Sequence, residues 1–221
     1  MNLAGPGILR AVQVRPVSAE ALVEELADRL AARQPAGRLR VAVDGPSAAG
    51  PERLADALVD PLRGRGRPAI RISTEDFLRP ASLRLEFGRR NPDSFYGGWF
   101  DEAGLAREVL DPAGPGGSGQ ILTRLWNAAT DRAAREPYQA LAPAAVLLVS
   151  GPLLLGGGLS FDVAVHLELS AAALRRRTAP EEQWTLPAFE RYAEEVDPSA
   201  FADVVLRVDD PRHPAMVLER Q

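Results

Sequence analysis

The chain has 221 residues and 26 basic side chains, every one of them Arg, against 30 acidic ones, for a formal charge of −4. That length suits one domain with a full core, and the acidic balance leaves no general basic face of the kind a nucleic-acid binder presents. There is no Cys, and the two His, His166 and His213, lie far apart, so disulfides, thiol chemistry and a Cys- or multi-His metal centre are excluded and no metal site is assigned.

The N-terminus, Met1-Asn2-Leu3-Ala4-Gly5-Pro6, lacks the charged-then-apolar layout of a secretory signal. The longest apolar run, 144–149, is too short to cross a bilayer. The expectation is a cytoplasmic protein without a membrane partner. Over 18–33, Ala21, Leu22, Leu26, Ala27 and Leu30 share one helical face opposite Glu24, Glu25 and Asp28, with Ser18 placed as N-cap and Pro35 and Gly37 as the stop. Residues 1–37 therefore read as an N-terminal helical extension, and 38–221 as a single domain.

An apolar run at 39–43 closes on Asp44-Gly45-Pro46, and the helical period resumes over 53–62. Strands follow at 69–73, 145–149, 163–169 and 203–208, with helices at 102–110, 170–177 and 186–195. Strands alternating with helices, and carrying near-continuous Val and Leu, indicate a parallel sheet covered on both faces. Between them, 113–143 is a Gly- and Ala-rich insertion in which Ile121 to Trp126 reads as one arm of a hairpin, and an ordered segment of that length suggests a lid. His166, inside a strand, reads as a buried, hydrogen-bonded residue, and His213 as a surface one.

Gly45-Pro46-Ser47-Ala48-Ala49-Gly50 lies between the first strand of this domain and a helix, where a phosphate-binding loop would lie. Such a loop surrounds phosphate with backbone N–H groups and ends in Gly-Lys-Ser/Thr, the Lys neutralising outer oxygens and the hydroxyl holding magnesium. Here the ending is Gly50-Pro51-Glu52. Pro51 removes a donor, and Glu52 places a carboxylate in the first helical turn. At about 4–5 Å and an effective dielectric of about 20, a carboxylate facing a phosphate oxygen costs a few kcal/mol. Pro followed by Glu is also a good helix opening in its own right.

In order and spacing the chain resembles the uridine kinase and phosphoribulokinase-like branch of P-loop kinases, in particular its short actinobacterial members. The resemblance spans 38–214. It rests on Val41-Ala42-Val43-Asp44-Gly45-Pro46-Ser47-Ala48-Ala49-Gly50, Ser73-Thr74-Glu75-Asp76-Phe77-Leu78-Arg79-Pro80, Phe95-Tyr96 with Phe100-Asp101, Asp111-Pro112 with Gly114-Pro115-Gly116-Gly117, the strand 146–150 running into Gly151, and Ala202-Asp203-Val204-Val205. It implies a three-layer α/β/α P-loop NTPase fold with about five parallel strands. It also implies catalytic Glu75 with neighbouring Asp76 at the acceptor hydroxyl, a ligand held by Arg79, Tyr96 and Asp101, and a nucleotide loop of Gly45, Ser47 and Gly50 with Arg53 as the nearest candidate cation. Against that pattern, the strand end where the family carries a magnesium acid reads Ser150, and the lid retains Arg175, Arg176 and Arg177 but has Pro180 where a further Arg is expected.

Several charge-neutralising groups of phosphoryl transfer are thus altered together, and they act as a unit. The expectation is a uridine kinase-like protein that has lost ATP-dependent transfer and keeps a nucleoside- or sugar-like pocket, with no certain cofactor. An active kinase using ATP and magnesium through a non-standard loop is the alternative, and a non-phosphoryl acid/base enzyme built on Glu75 and Asp76 is a second one.

Overall fold

The computed structural model describes residues 13–33 and 37–218; the segment before residue 13 and the helix stop at Pro35 lie outside them. The chain begins with β1 (Gln13–Pro16), α1 (Ala19–Ala32), β2 (Leu39–Asp44), a 3-10 turn at Ser47–Ala49, α2 (Pro51–Gly64) and β3 (Ala69–Ser73). A second 3-10 turn, Thr74–Phe77, leads into α3 (Ala81–Arg84), α4 (Pro92–Gly98) and a composite helix: α5 (Glu102–Leu105), a π turn (Ala106–Leu110) and α6 (Asp111–Ala113). The insertion carries β4 (Gln120–Ile121), β5 (Trp126–Asn127), β6 (Arg132–Ala133) and β7 (Gln139–Ala140). Then come β8 (Val146–Gly151), β9 (Val163–Glu168), α7 (Ala171–Arg177), a 3-10 stretch (Pro180–Thr185), α8 (Leu186–Glu195), α9 (Pro198–Phe201), β10 (Val204–Arg207) and β11 (Ala215–Leu218).

The main sheet has the order β1-β11-β10-β9-β2-β8-β3. Five strands, β3, β8, β2, β9 and β10, run parallel, and β11 and β1 close one edge antiparallel. Every residue of β2 and β8 is buried, as expected of central strands covered on both faces. Alternation within a strand divides the core. Val41 and Val43 pack with Leu148 and Val165 against Leu22, Leu26 and Leu30 of α1 and Leu58 and Leu62 of α2. Ala42 joins Ile72, Leu147 and Val149 on the opposite face, under Leu105, Val109, Leu110 and Tyr192. These are three layers, α/β/α.

Local chemistry sets the helix ends. The Ser18 hydroxyl accepts from the Ala21 N–H, and Pro51 opens α2 at the position where its missing N–H costs nothing. Residues 13–33 supply an edge strand and a core helix to this domain. The helix read at 102–110 runs on to Ala113 with a π turn inside it. The hairpin of the insertion forms two short ladders, β4 with β7 and β5 with β6. At the base of the sheet the Arg40 guanidinium meets the Asp162 carboxylate at 2.8 Å, both sides largely buried. The parallel strands β2, β3, β8 and β9 all end at the same edge, so Asp44, Ser73, Gly151 and Glu168 bring their following loops together there, where open α/β sheets form their ligand crevices.

Candidate active site

The loop after β2 is tightly determined. A methyl on Gly45 would lie 2.9 Å from the Leu167 carbonyl oxygen of β9, so no side chain fits. The Gly45 N–H is bonded to the Gly151 carbonyl, and the 3-10 turn uses the Ala49 and Gly50 N–H groups on the Pro46 and Ser47 carbonyls. Gly50 turns left-handed at φ 83° to enter α2. With Pro46 and Pro51 contributing no N–H, the loop keeps only Ser47 and Ala48 as backbone donors without a partner among the described residues.

Charges of both signs surround this loop. Burial pushes the Glu52 carboxyl up from its ordinary value; neighbouring Glu75 and Asp56 push the same way, while its own N–H and Arg71 oppose. The Arg53 guanidinium lies over Gly50, its Nη2 2.6 Å from where a methyl on that glycine would sit, and it has no ion-pair partner among the described residues. Burial, then the nearby Arg53 and Arg176 charges, lower the Arg177 guanidinium, whose Nη1 donates to the Val208 carbonyl. At the end of β8 the Ser150 hydroxyl is fully buried and donates to the Ile72 carbonyl at 3.4 Å. Arg71, beside it, is engaged by Asp56 at 2.6 Å. Among the described residues no group of three His, Asp or Glu side chains is arranged to hold a metal ion.

Beneath the loop lies a fully buried acid. Asp44 Oδ2 is 2.7 Å from His166 Nδ1 and accepts from the Tyr192 hydroxyl at 3.2 Å, while Oδ1 accepts from the Leu154 N–H at 2.9 Å. The Tyr192 hydroxyl in turn accepts from the Leu155 N–H, and burial, then the Asp44 charge, push its pKa far up. The cluster ties together the loop base, β9, α8 and the chain after β8.

After β3 the two adjacent carboxylates, Glu75 and Asp76, have different partners. The Ser73 hydroxyl accepts from the Glu75 N–H, and the 3-10 turn sends Glu75 to the wall of a cavity of about 160 Å³. Asp76 instead binds Arg124 of the insertion at 2.6 Å, and its carbonyl accepts from the Leu125 N–H. Asp101 caps α5 through the Gly104 N–H and borders a second, much smaller cavity with Thr74 and Glu102. The Thr74 hydroxyl is buried without a partner and packs on Gly151. The Tyr96 hydroxyl donates to Glu195 and its ring lies under Arg191, whereas Arg79 bonds to Trp99 and Arg84 through its main chain; neither residue lines the larger cavity.

That larger cavity is bounded by the loop at Pro46, Ser47 and Ala48, by Glu75, and by an aromatic wall. Phe95, Trp99 and Phe100 come from α4 and the segment after it, and Trp184 and Phe189 from the 3-10 stretch and α8. Glu182 completes it. Tyr96 and Phe100 stand together in the sequence, but Trp184 and Phe189 come more than 80 positions later, where they show only as apolar points in helical turns, and Glu182 shows as one acid beside Glu181. A hollow of about 920 Å³ lies beside the hairpin, but a single segment, from Trp126 to Arg135, forms its whole lining.

No family model matches the chain, and no curated protein matches it. Solved structures do. A possible uridine kinase from Bacillus stearothermophilus superposes with a TM-score of 0.67 at 22% identity, covering 83% of this chain and 96% of that one. The chain has a P-loop kinase-like fold. A candidate fructose transport system kinase from Silicibacter sp. TM1040 (TM-score 0.54, 23% identity, 83% and 91% covered) and the protein YGR205w (0.52, 12%, 92% and 100%) share it. Within this fold the 45–50 loop lies between β2 and α2, and its Pro46, Ser47 and Ala48 line the aromatic cavity.

Proposed function

We propose that this protein binds a small hydroxylated metabolite in the cavity between the 45–50 loop, Glu75 and the aromatic wall, and has lost ATP-dependent phosphoryl transfer. The observation that carries the reading is the half-buried Glu52 carboxylate in the first turn of α2, following a proline and facing Glu75, in a chain with no Lys. Transfer depends on neutralising phosphate charge, and here Pro51 stands where the neutralising ammonium would be and Glu52 where the magnesium-binding hydroxyl would be. A cavity of about 160 Å³ lies below the roughly 300 Å³ at which drug-sized sites begin, which favours a ligand smaller than a nucleoside. Incubation with labelled ATP, magnesium and a panel of nucleosides, sugars and small alcohols is expected to give no phosphorylated product; ATP-dependent phosphorylation abolished by Glu75→Ala would overturn the reading.

One observation favours the rival, an active kinase: Arg53 lies over Gly50 without an acidic partner among the described residues, where a cation could meet phosphate. That reading requires magnesium-ATP to raise the melting temperature and Arg53→Ala to remove the rise.

A further inference from the structure

The cavity in front of the loop has an electrostatic character that neither a sugar phosphate nor a nucleobase matches. Its only charged lining residues are Glu75 and Glu182, and no Arg lines it. An anionic ligand would meet two carboxylates with no cationic side chain in the lining to neutralise it. The rest of the lining combines five aromatic rings with the hydroxyls of Ser47, Thr178 and Thr185. The rings meet at steep angles: Phe95 stands edge-on to Trp184 (5.7 Å, 80°), Phe100 (5.9 Å, 68°) and Phe189 (5.8 Å, 66°), and Trp99 tilts 51° against Trp184 at 5.4 Å. At these separations the rings touch one another and form a continuous, angled aromatic wall and not a parallel slot into which a flat base would slide. The electron-rich faces of Trp, Tyr and Phe attract a cation within about 6 Å of a ring centroid, most strongly one that has shed its water. The protein already uses that attraction on one of these rings, where the Arg84 guanidinium lies 5.1 Å from the Trp99 ring.

We propose that the cavity binds a small organic cation, an alkylammonium compound carrying a hydroxyl group, with the ammonium against the aromatic wall of the cavity and its charge balanced by Glu182 and Glu75. This rests on the reading of the cavity as a ligand site, and it specifies the class of ligand. The cation's size matches the small volume, its charge matches the two acids, and its methyl or methylene groups match the aromatic surface.

The test is titration calorimetry, backed by tryptophan fluorescence, of the full chain with tetramethylammonium, choline and ethanolamine. It includes 3,3-dimethylbutan-1-ol, which has the shape of choline without its charge, together with uridine and ribose. At least one cation is expected to bind and quench tryptophan emission, choline is expected to bind about tenfold more tightly than its neutral isostere, and Glu182→Gln is expected to weaken the cation severalfold while leaving the isostere unchanged. Equal binding of choline and the isostere would overturn the cation proposal and leave a ligand cavity. Binding of uridine or ribose without any cation would overturn it likewise, with the binding-protein reading intact. If no probe binds at tens of millimolar, both the proposal and the reading beneath it fail.

Discussion

Replacing Asp44 by Ala is expected to be among the most damaging single substitutions in the chain. The carboxylate is fully buried and satisfies three groups at once: the Leu154 N–H, the Tyr192 hydroxyl and His166 Nδ1. Removing it strands each of them away from water. An unsatisfied buried polar group costs about 1–3 kcal/mol, and breaking a buried charged network costs about 3–5 kcal/mol in all. A chain of this length loses about 2–4 °C of melting temperature per kcal/mol, so a fall of about 6–20 °C is expected. Asp44→Asn keeps one acceptor and is expected to cost less. Urea denaturation, with the slope unchanged and the midpoint lowered, is the assay; double substitution with Tyr192→Phe separates the shared contribution, because residues in one network do not add. A loss below about 1 kcal/mol for Asp44→Ala would refute the claim that this cluster braces the loop.

Burial holds the Glu52 carboxyl above its unfolded value, so its contribution to stability is complete below the ordinary Glu range and is lost as pH rises through the higher folded pKa. Glu52→Gln is therefore expected to be more stable than the parent at pH 7, with the difference shrinking toward pH 4 in parallel thermal melts. Asp162 behaves oppositely: although burial pushes its carboxyl up, the hydrogen bonds and charge of Arg40 outweigh that and hold it below the usual Asp range. Its stabilising contribution is present above the unfolded value and lost as pH falls through the folded one, so Asp162→Asn is expected to flatten the acid limb of the stability profile. Arg40→Met, which leaves the buried Asp162 unpaired, is expected to cost about 3–5 kcal/mol by denaturation. Asp76→Ala releases the Arg124 contact that fastens the insertion, and because that pair is partly exposed the global loss is expected to stay below about 1 kcal/mol, while limited proteolysis between residues 122 and 138 accelerates.

The parallel strands were legible because the central ones are buried on both faces, and a run such as Leu39 to Val43 or Val146 to Val149 needs no partner to be recognised. The two antiparallel strands at the other side of the sheet were not. Gln13–Pro16 and Ala215–Leu218 are four residues each, and what makes them strands is the meeting of two chain regions some 200 positions apart. The site divides in the same way. Gly45 to Glu52 can be read locally, since a strand, a glycine turn and a Pro-initiated helix are neighbours in sequence. The aromatic wall cannot, since Phe95 and Trp184 meet only after the 3-10 stretch and α8 pack onto α4. His166 was legible as a buried, bonded residue, but its partner Asp44 looks in the sequence like the polar end of a strand.

The most direct measurement of the central claim is calorimetric titration of magnesium-ATP into the protein and into a Pro51→Lys, Glu52→Thr variant. The account predicts no heat of binding for the natural chain up to millimolar nucleotide and measurable binding once the ammonium and hydroxyl are restored. Sub-millimolar binding of magnesium-ATP to the natural chain would contradict it.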